Sequence, residues 1–266
     1  MPVVDFPQLF IQADNLRNDA KVDEAIQAYR QIAELASEPE ELPWRARAFH
    51  MAGVSAKESV VEEGTYYRDA VAFFDQAETF YRQLNQPEEI GALYRDQAIL
   101  ADNAGKTNLA ASWFQKSLTE LSQVDAPSQL GSSYEKFGLH YFKNKDYPTA
   151  ERYIRQGLAI LEKEPSAGFF HATALYDLAR VSYKLSKLTE AKDLALVSRS
   201  WFEADHGLHN YQRRLAQLEG LLSVIYFELN DTKRARQSAQ RYQSLLKTFD
   251  PLAVQVIEKD LREVVN

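Results

Sequence analysis

The chain has 266 residues, of which 45% are hydrophobic and 26% charged, a balance typical of a folded soluble protein and unlike a disordered or membrane-embedded one. Its net charge of −7 argues against the phosphate backbone of a nucleic acid as the main partner. The sequence contains no cysteine, which excludes disulfides, thiolate catalysis and cysteine-bound metals. The charge is uneven, because residues 1–133 carry a net −10 and residues 134–266 a net +3.

The sequence offers no candidate for a membrane span. Its longest apolar stretch, Leu221-Leu222 followed after one serine by Val224 to Phe227, is far shorter than the roughly 18 residues of a transmembrane helix. The N-terminal residues MPVVDFPQLF have neither a basic lead nor a sustained apolar segment. We therefore expect a cytoplasmic protein.

Helical periodicity runs through the whole sequence. Apolar residues recur at intervals of three and four, as in Ala25, Ile26, Tyr29, Ile32 and Leu35. Glycine and proline are few, with 10 and 9 residues, and no alternation of apolar and polar residues persists long enough for a strand. The sequence therefore predicts an all-α protein.

The predicted helices repeat with a nearly constant period. An alanine that follows a short polar turn by three residues occurs six times, at intervals of 45, 40, 40, 41 and 44 residues. These anchor alanines are Ala25, Ala70, Ala110, Ala150, Ala191 and Ala235. Each copy predicts two helices joined by a turn. In chain order we predict one repeat domain over 1–266, with repeats at 5–38, 43–85, 87–124, 127–164, 166–204 and 208–248 and a capping helix over 250–265.

The clearest motif lies in residues 134–157. Large and small residues stand there at fixed offsets, namely Tyr134, Phe137, Gly138, Tyr141, Tyr147, Ala150, Ile154 and Gly157. With this copy and looser ones at 175–198 and 222–242, the chain resembles the tetratricopeptide repeat (TPR) family, in an extended variety of about 40 residues per repeat. The resemblance implies a right-handed α-solenoid of about six helix pairs plus a C-terminal capping helix.

The resemblance also implies where a partner would bind, because the first helix of each pair lines a concave groove in this family. We expect the groove to be lined by Phe10, Asp14, Arg17, Arg95, Ile99, Asp102, Glu135, Leu139, Phe142, Lys143, Tyr176, Arg180, Tyr183, Lys184, Val224 and Phe227. Aromatic side chains mixed with arginine and lysine suit a peptide with apolar side chains and some negative charge. The lysines and asparagines with which some family members grip chaperone tails are replaced here, so chaperone-tail binding is not expected.

Motifs that would indicate catalysis are missing from the sequence. There is no GxGxxG, Walker loop, HExxH or GxSxG. His50, His140 and His171 stand alone and are expected to be partly buried helix residues rather than catalytic bases. We therefore expect neither an enzyme nor a bound cofactor.

Residues 203–209 come nearest to a metal-binding pattern in this sequence. His206 and His209, together with Glu203 and Asp205, bring imidazole and carboxylate groups close together in the sequence. Gly207 indicates a polar loop between two repeats, and such loops collect these residues without binding a metal. We therefore expect no metal ion here.

The sequence as a whole favours a non-catalytic scaffold or adaptor whose groove holds a peptide or helix of another protein. One alternative is a peptide-sensing regulator resembling the pheromone receptors of Gram-positive bacteria. Those receptors carry an N-terminal output domain, whereas the first repeat here begins near Leu9. Another alternative is a vesicle-fusion adaptor, which also uses helix pairs of about 40 residues but would be expected to carry basic patches.

Overall fold

The computed structural model describes residues 4–58, 64–204 and 211–249. These ranges contain twelve α-helices and no strand, which confirms the all-α prediction. None of the helices in them is long and apolar enough to cross a membrane. The predicted capping helix over 250–265 lies outside the described residues.

The helices follow one another in six consecutive pairs. Their bounds are α1 (Phe6–Asn18), α2 (Val22–Leu35), α3 (Leu42–Glu58), α4 (Thr65–Gln83), α5 (Pro87–Asn103), α6 (Thr107–Leu121), α7 (Pro127–Lys143), α8 (Tyr147–Leu161), α9 (Gly168–Lys184), α10 (Leu188–Glu203), α11 (Gln212–Glu228) and α12 (Thr232–Phe249). Single turns of 3₁₀ helix at Pro39–Glu41 and Pro165–Ala167 precede α3 and α9.

Five of these pairs are joined by the same tight turn. Its central residue has a positive φ, between 59° and 72°, at Ala20, Gly105, Lys145, Ser186 and Asn230. The next backbone N–H donates to the carbonyl five residues earlier, as from Lys106 to Ala101 at 2.8 Å. This hydrogen bond satisfies a carbonyl at the end of the first helix and reverses the chain into the second.

The helices of a pair approach most closely at small residues. A Cβ atom at Gly138 in α7 would lie 2.5 Å from Cγ1 of Ile154 and 3.0 Å from the carbonyl oxygen of Ala150. A Cβ atom at Gly53 in α3 would likewise lie 2.6 Å from the ring of Phe74 in α4. The six anchor alanines are each at most 1% exposed. The sequence period therefore marks the positions where paired helices touch.

The chain divides into two compact units, with unit 1 covering residues 1–136 and unit 2 covering residues 137–266. The division falls inside α7. The described core of unit 1 includes Tyr29 and Phe74, and that of unit 2 includes Ile154 and Leu218. That the repeats form a single domain stays a prediction.

A buried polar network connects three helices of unit 1. Lys57 of α3 forms an ion pair with Oδ1 of Asp96 in α5. Nε2 of His50, also in α3, donates to Oδ2 of Asp96 at 3.1 Å, and its Nδ1 lies 3.2 Å from the hydroxyl of Tyr81 in α4. Burial by itself would raise the pKa of Asp96, but the charge of Lys57, the hydrogen bond from His50 and the charge of Arg95 hold it well below its usual value.

The close approach at Gly138 predicts the effect of a single methyl group. We expect Gly138→Ala to lower the free energy of unfolding, because overpacking costs about 1–3 kcal/mol and helix propensity returns about 1 kcal/mol. Gly220→Ala in α11 is the matched control, since its Cβ would lie at an ordinary 3.6 Å from the ring of Tyr242. In urea denaturation, the free energy of unfolding should be lower for Gly138→Ala than for the wild type. For Gly220→Ala it should be equal to or higher than that of the wild type. Equal stability of the two variants would contradict the close contact.

The network at Asp96 predicts a dependence of stability on pH. Asp96→Asn leaves Lys57 buried without a counter-charge, so we expect a loss of about 3–5 kcal/mol at neutral pH. Because folding lowers the pKa of Asp96, its contribution is present above the pKa of unfolded aspartate, about 4, and is lost as the pH falls below it. Denaturation at several pH values should therefore show a smaller acid-induced loss in Asp96→Asn than in the wild type.

Glu58→Gln supplies the control for this measurement. Glu58 pairs with Arg17 at 3.0 Å, and its side chain is 44% exposed, so its loss should cost less than about 1 kcal/mol. If Asp96→Asn were no more destabilising than Glu58→Gln, the buried network would contribute little to unit 1.

Candidate functional site

The first helices of the pairs in unit 2 carry a run of the predicted site residues. We call the following residues the first-helix face of unit 2: Leu139, Phe142, Lys143, Tyr176, Arg180, Tyr183, Lys184, Arg214, Val224 and Phe227. They come from the end of α7, from α9 and from α11. On α7 and α9 spacings of three and four residues place them along one side of the helix, whereas on α11 Arg214 lies in the first turn and Val224 and Phe227 lie near the end.

Two arginines and two aromatic rings of this face form an arginine–aromatic row, in the order Phe142, Arg180, Tyr176, Arg214. Cζ of Arg180 lies 4.7 Å from the centre of the Phe142 ring and 5.6 Å from that of Tyr176. Cζ of Arg214 lies 4.8 Å from the centre of the Tyr176 ring. The guanidinium groups are thus held in place by cation–π contacts between neighbouring first helices.

The two arginines differ in their charge partners. Nη1 of Arg180 donates to Asp177 at 2.8 Å, and the carboxylate of Asp177 is buried. Nη1 of Arg214 donates to the neutral side chain of Gln217 at 3.0 Å, and within the described ranges Arg214 meets no carboxylate. Burial raises the pKa of Tyr176 although both guanidinium charges oppose the rise, so the ring between them stays neutral.

Apolar surface lies on the same face. Phe227 is 44% exposed and Val224 is half-buried. The hydroxyl of Tyr183 donates to Glu228 at 2.5 Å, and burial together with this hydrogen bond raises the pKa of Tyr183 to about 12. Nζ of Lys184 lies 5.6 Å from the centre of the Tyr183 ring. The face therefore combines an exposed aromatic ring with positive charge.

The predicted site residues near the start of unit 1 are engaged within the protein. Phe10 is 2% exposed and belongs to the core, so a partner could reach it only if that core opened. Tyr29 donates a hydrogen bond to Asp14, and Arg17 pairs with Glu58. These side chains hold α1 against α2 and α3.

The remaining predicted site residues of unit 1 lie on α5 and α7. Arg95 donates to Gln129 at 2.7 Å, and Ile99 and Asp102 are half-buried. Glu135 is 3% exposed and pairs with the neighbouring lysine at 3.0 Å. Arg95 and Glu135 therefore each have a partner in unit 1.

Sequence reasoning missed Arg214 and the network around Asp96. Arg214 precedes the aligned part of its repeat, and its only signal is an arginine pair just after a polar loop. Lys57 was missed because its repeat is longer between the glycine of the first helix and the anchor alanine of the second. Gly53 and Ala70 are seventeen residues apart, whereas the corresponding Gly138 and Ala150 are twelve apart. The offsets that locate site residues do not transfer to that longer copy.

His50, His140 and His171 lie on helices, as the sequence predicts. His50 and His140 are buried helix residues, and His171 is a half-buried one. The described ranges contain no group of three or more histidine, aspartate or glutamate side chains that could hold a metal ion. His206 and His209 lie outside those ranges.

Comparisons with known proteins find similarity in fold. No protein-family model matches the chain, and no curated protein matches its sequence. The structure is similar to BtubC (BKLC) from P. vanneervenii, with a TM-score of 0.67 and 13% identity over 93% of each chain. It is similar to a Rap protein complexed with Competence and Sporulation Factor, with a TM-score of 0.58 and 12% identity over 91% of this chain and 76% of that one.

A third similar structure consists of TPR-like repeats of a putative kinesin light chain from Podosopora anserina. The TM-score is 0.53, with 16% identity over 73% of this chain and 93% of that one. Likeness at such identities concerns the fold and leaves the function open. With its consecutive helix pairs and its buried anchor alanines, the chain has a TPR-type repeat fold.

Proposed function

We propose that this protein is a non-catalytic interaction module that holds a peptide or helix of another protein on the first-helix face of unit 2. The arginine–aromatic row carries the proposal, since it ends in an arginine that meets only a neutral side chain in the described ranges. Arginine and large aromatic residues are the types that dominate the energetics of protein interfaces.

The geometry of the row supports binding without a large ordering cost. Association normally loses free energy when long side chains become fixed at an interface. Arg180 and Arg214 already stack on Tyr176, so part of their rotamer freedom is lost before a partner arrives. Phe227 adds an exposed ring against which an apolar side chain of the partner would pack.

A peptide-sensing regulator is the second candidate function. The observation that favours it is the similarity in fold to a Rap protein complexed with Competence and Sporulation Factor. A sensor would have to change conformation when its ligand binds, whereas a scaffold would not. Small-angle scattering with and without the captured partner separates the two candidates.

The proposal predicts which exposed apolar residue a partner needs. We expect Phe227→Asp to reduce capture of partner proteins from a native extract at least about tenfold, a loss of about 1.4 kcal/mol, because it places a charge in the apolar contact. Quantitative mass spectrometry of the retained proteins supplies the measurement. Val197→Asp is the matched control, since Val197 is 56% exposed and lies on α10, a second helix.

Circular dichroism melting curves of both variants should match that of the wild type, because both side chains are exposed and neither belongs to the described core. Loss of the same retained proteins in Phe227→Asp but not in Val197→Asp supports the proposal. Retention in both variants would place partner binding elsewhere.

A further inference from the structure

The first-helix face of unit 2 has a charge pattern that narrows the kind of partner. Its basic residues include Arg180, Lys184 and Arg214, and the acidic residues beside them are Asp177 and Glu228. Asp177 pairs with Arg180, and Glu228 accepts a hydrogen bond from the neutral hydroxyl of Tyr183 and keeps its charge, so three positive charges stand beside two negative ones. The face therefore has a surplus of positive charge although the chain as a whole carries −7.

The surplus is sharpest at Arg214. A guanidinium group has five N–H donors, and its stacking on a ring uses the flat face of the group and none of these donors. Cζ of Arg214 lies over the Tyr176 ring, 4.8 Å from its centre, and Nη1 donates to Gln217. Its remaining edge suits a carboxylate, which accepts two parallel N–H bonds from one guanidinium.

Resting on the proposed function above, we propose that the first-helix face of unit 2 selects partner segments rich in aspartate and glutamate, and that Arg214 binds one of their carboxylates. Cζ of Arg180 also lies close to the Tyr176 ring, 5.6 Å from its centre, and adds its charge to the same site. Apolar side chains of the segment pack beside Phe227, which fixes its position along the helices.

A carboxylate fits this surface better than a phosphate does. The charge of Arg180 is partly neutralised by the buried Asp177, and Lys184 and Arg214 lie on two different helices. A phosphate dianion calls for several donors gathered at one point, as at a helix N-terminus. Single carboxylates spaced along an extended segment match separate single cations.

The test uses fluorescein-labelled peptides made of repeated Leu-Glu-Glu triplets, with Leu-Gln-Gln and phosphoserine-containing Leu-Ser-Gln peptides for comparison. We expect the full chain to bind the Leu-Glu-Glu peptide at least about tenfold more tightly than either of the others, measured by fluorescence anisotropy. Arg214→Gln should weaken binding of the Leu-Glu-Glu peptide by about tenfold and leave the Leu-Gln-Gln peptide unchanged. Arg214→Lys keeps the charge but loses the paired N–H bonds, so its affinity for the Leu-Glu-Glu peptide should lie between those of the wild type and Arg214→Gln.

Arg236→Gln is the matched control, because Arg236 is an exposed arginine of unit 2 on α12, a second helix. It should bind the Leu-Glu-Glu peptide like the wild type. The proposal is overturned if the Leu-Glu-Glu peptide does not bind, if the glutamine or phosphoserine peptide binds as tightly, or if the Arg214 and Arg236 variants lose affinity equally. If partner capture still depends on Phe227 in any of these cases, the proposed function stands and only the acidic selectivity fails.

Discussion

Close contact between paired helices is the constraint on which the structure depends. At Gly138 the backbone of one helix comes so near to Ala150 and Ile154 of the next that a methyl group does not fit. Small residues at these contacts set the distance between helices, and the surrounding aromatic rings fill the remaining space, as where the rings of Phe137 and Tyr153 lie 4.5 Å apart. With the paired helices held at this distance, side chains of α7, α9 and α11 meet in the arginine–aromatic row.

The helical frame could be predicted from the sequence because it depends on a periodic packing requirement. Every anchor alanine is buried, and the motif at residues 134–157 forms α7 and α8. The turns were harder to predict from the sequence, because Lys145 and Ser186 adopt the left-handed backbone conformation as well as Gly105. Hydrogen bonding at the helix end stabilises the turn whichever residue occupies it.

The site was only partly predictable, for a physical reason. A repeat offset gives the side of a helix on which a residue lies, but burial depends on what the neighbouring helices contribute. Tyr176 is 7% exposed because Arg180 and Arg214 cover its ring, and Phe10 is covered by Tyr29 and Trp44. The contacts of Tyr176 with Arg214 and of Phe10 with Tyr29 and Trp44 join residues more than ten positions apart and leave no local pattern.

The central claim, that a partner lies on the first-helix face of unit 2, can be tested by photo-crosslinking. A benzophenone amino acid placed at position 227 or at position 197 reports contact at each site directly, without removing charge or burying a new group. We expect a crosslinked partner from position 227 and none from position 197. Crosslinking from position 197 alone, or equally from both positions, would contradict it.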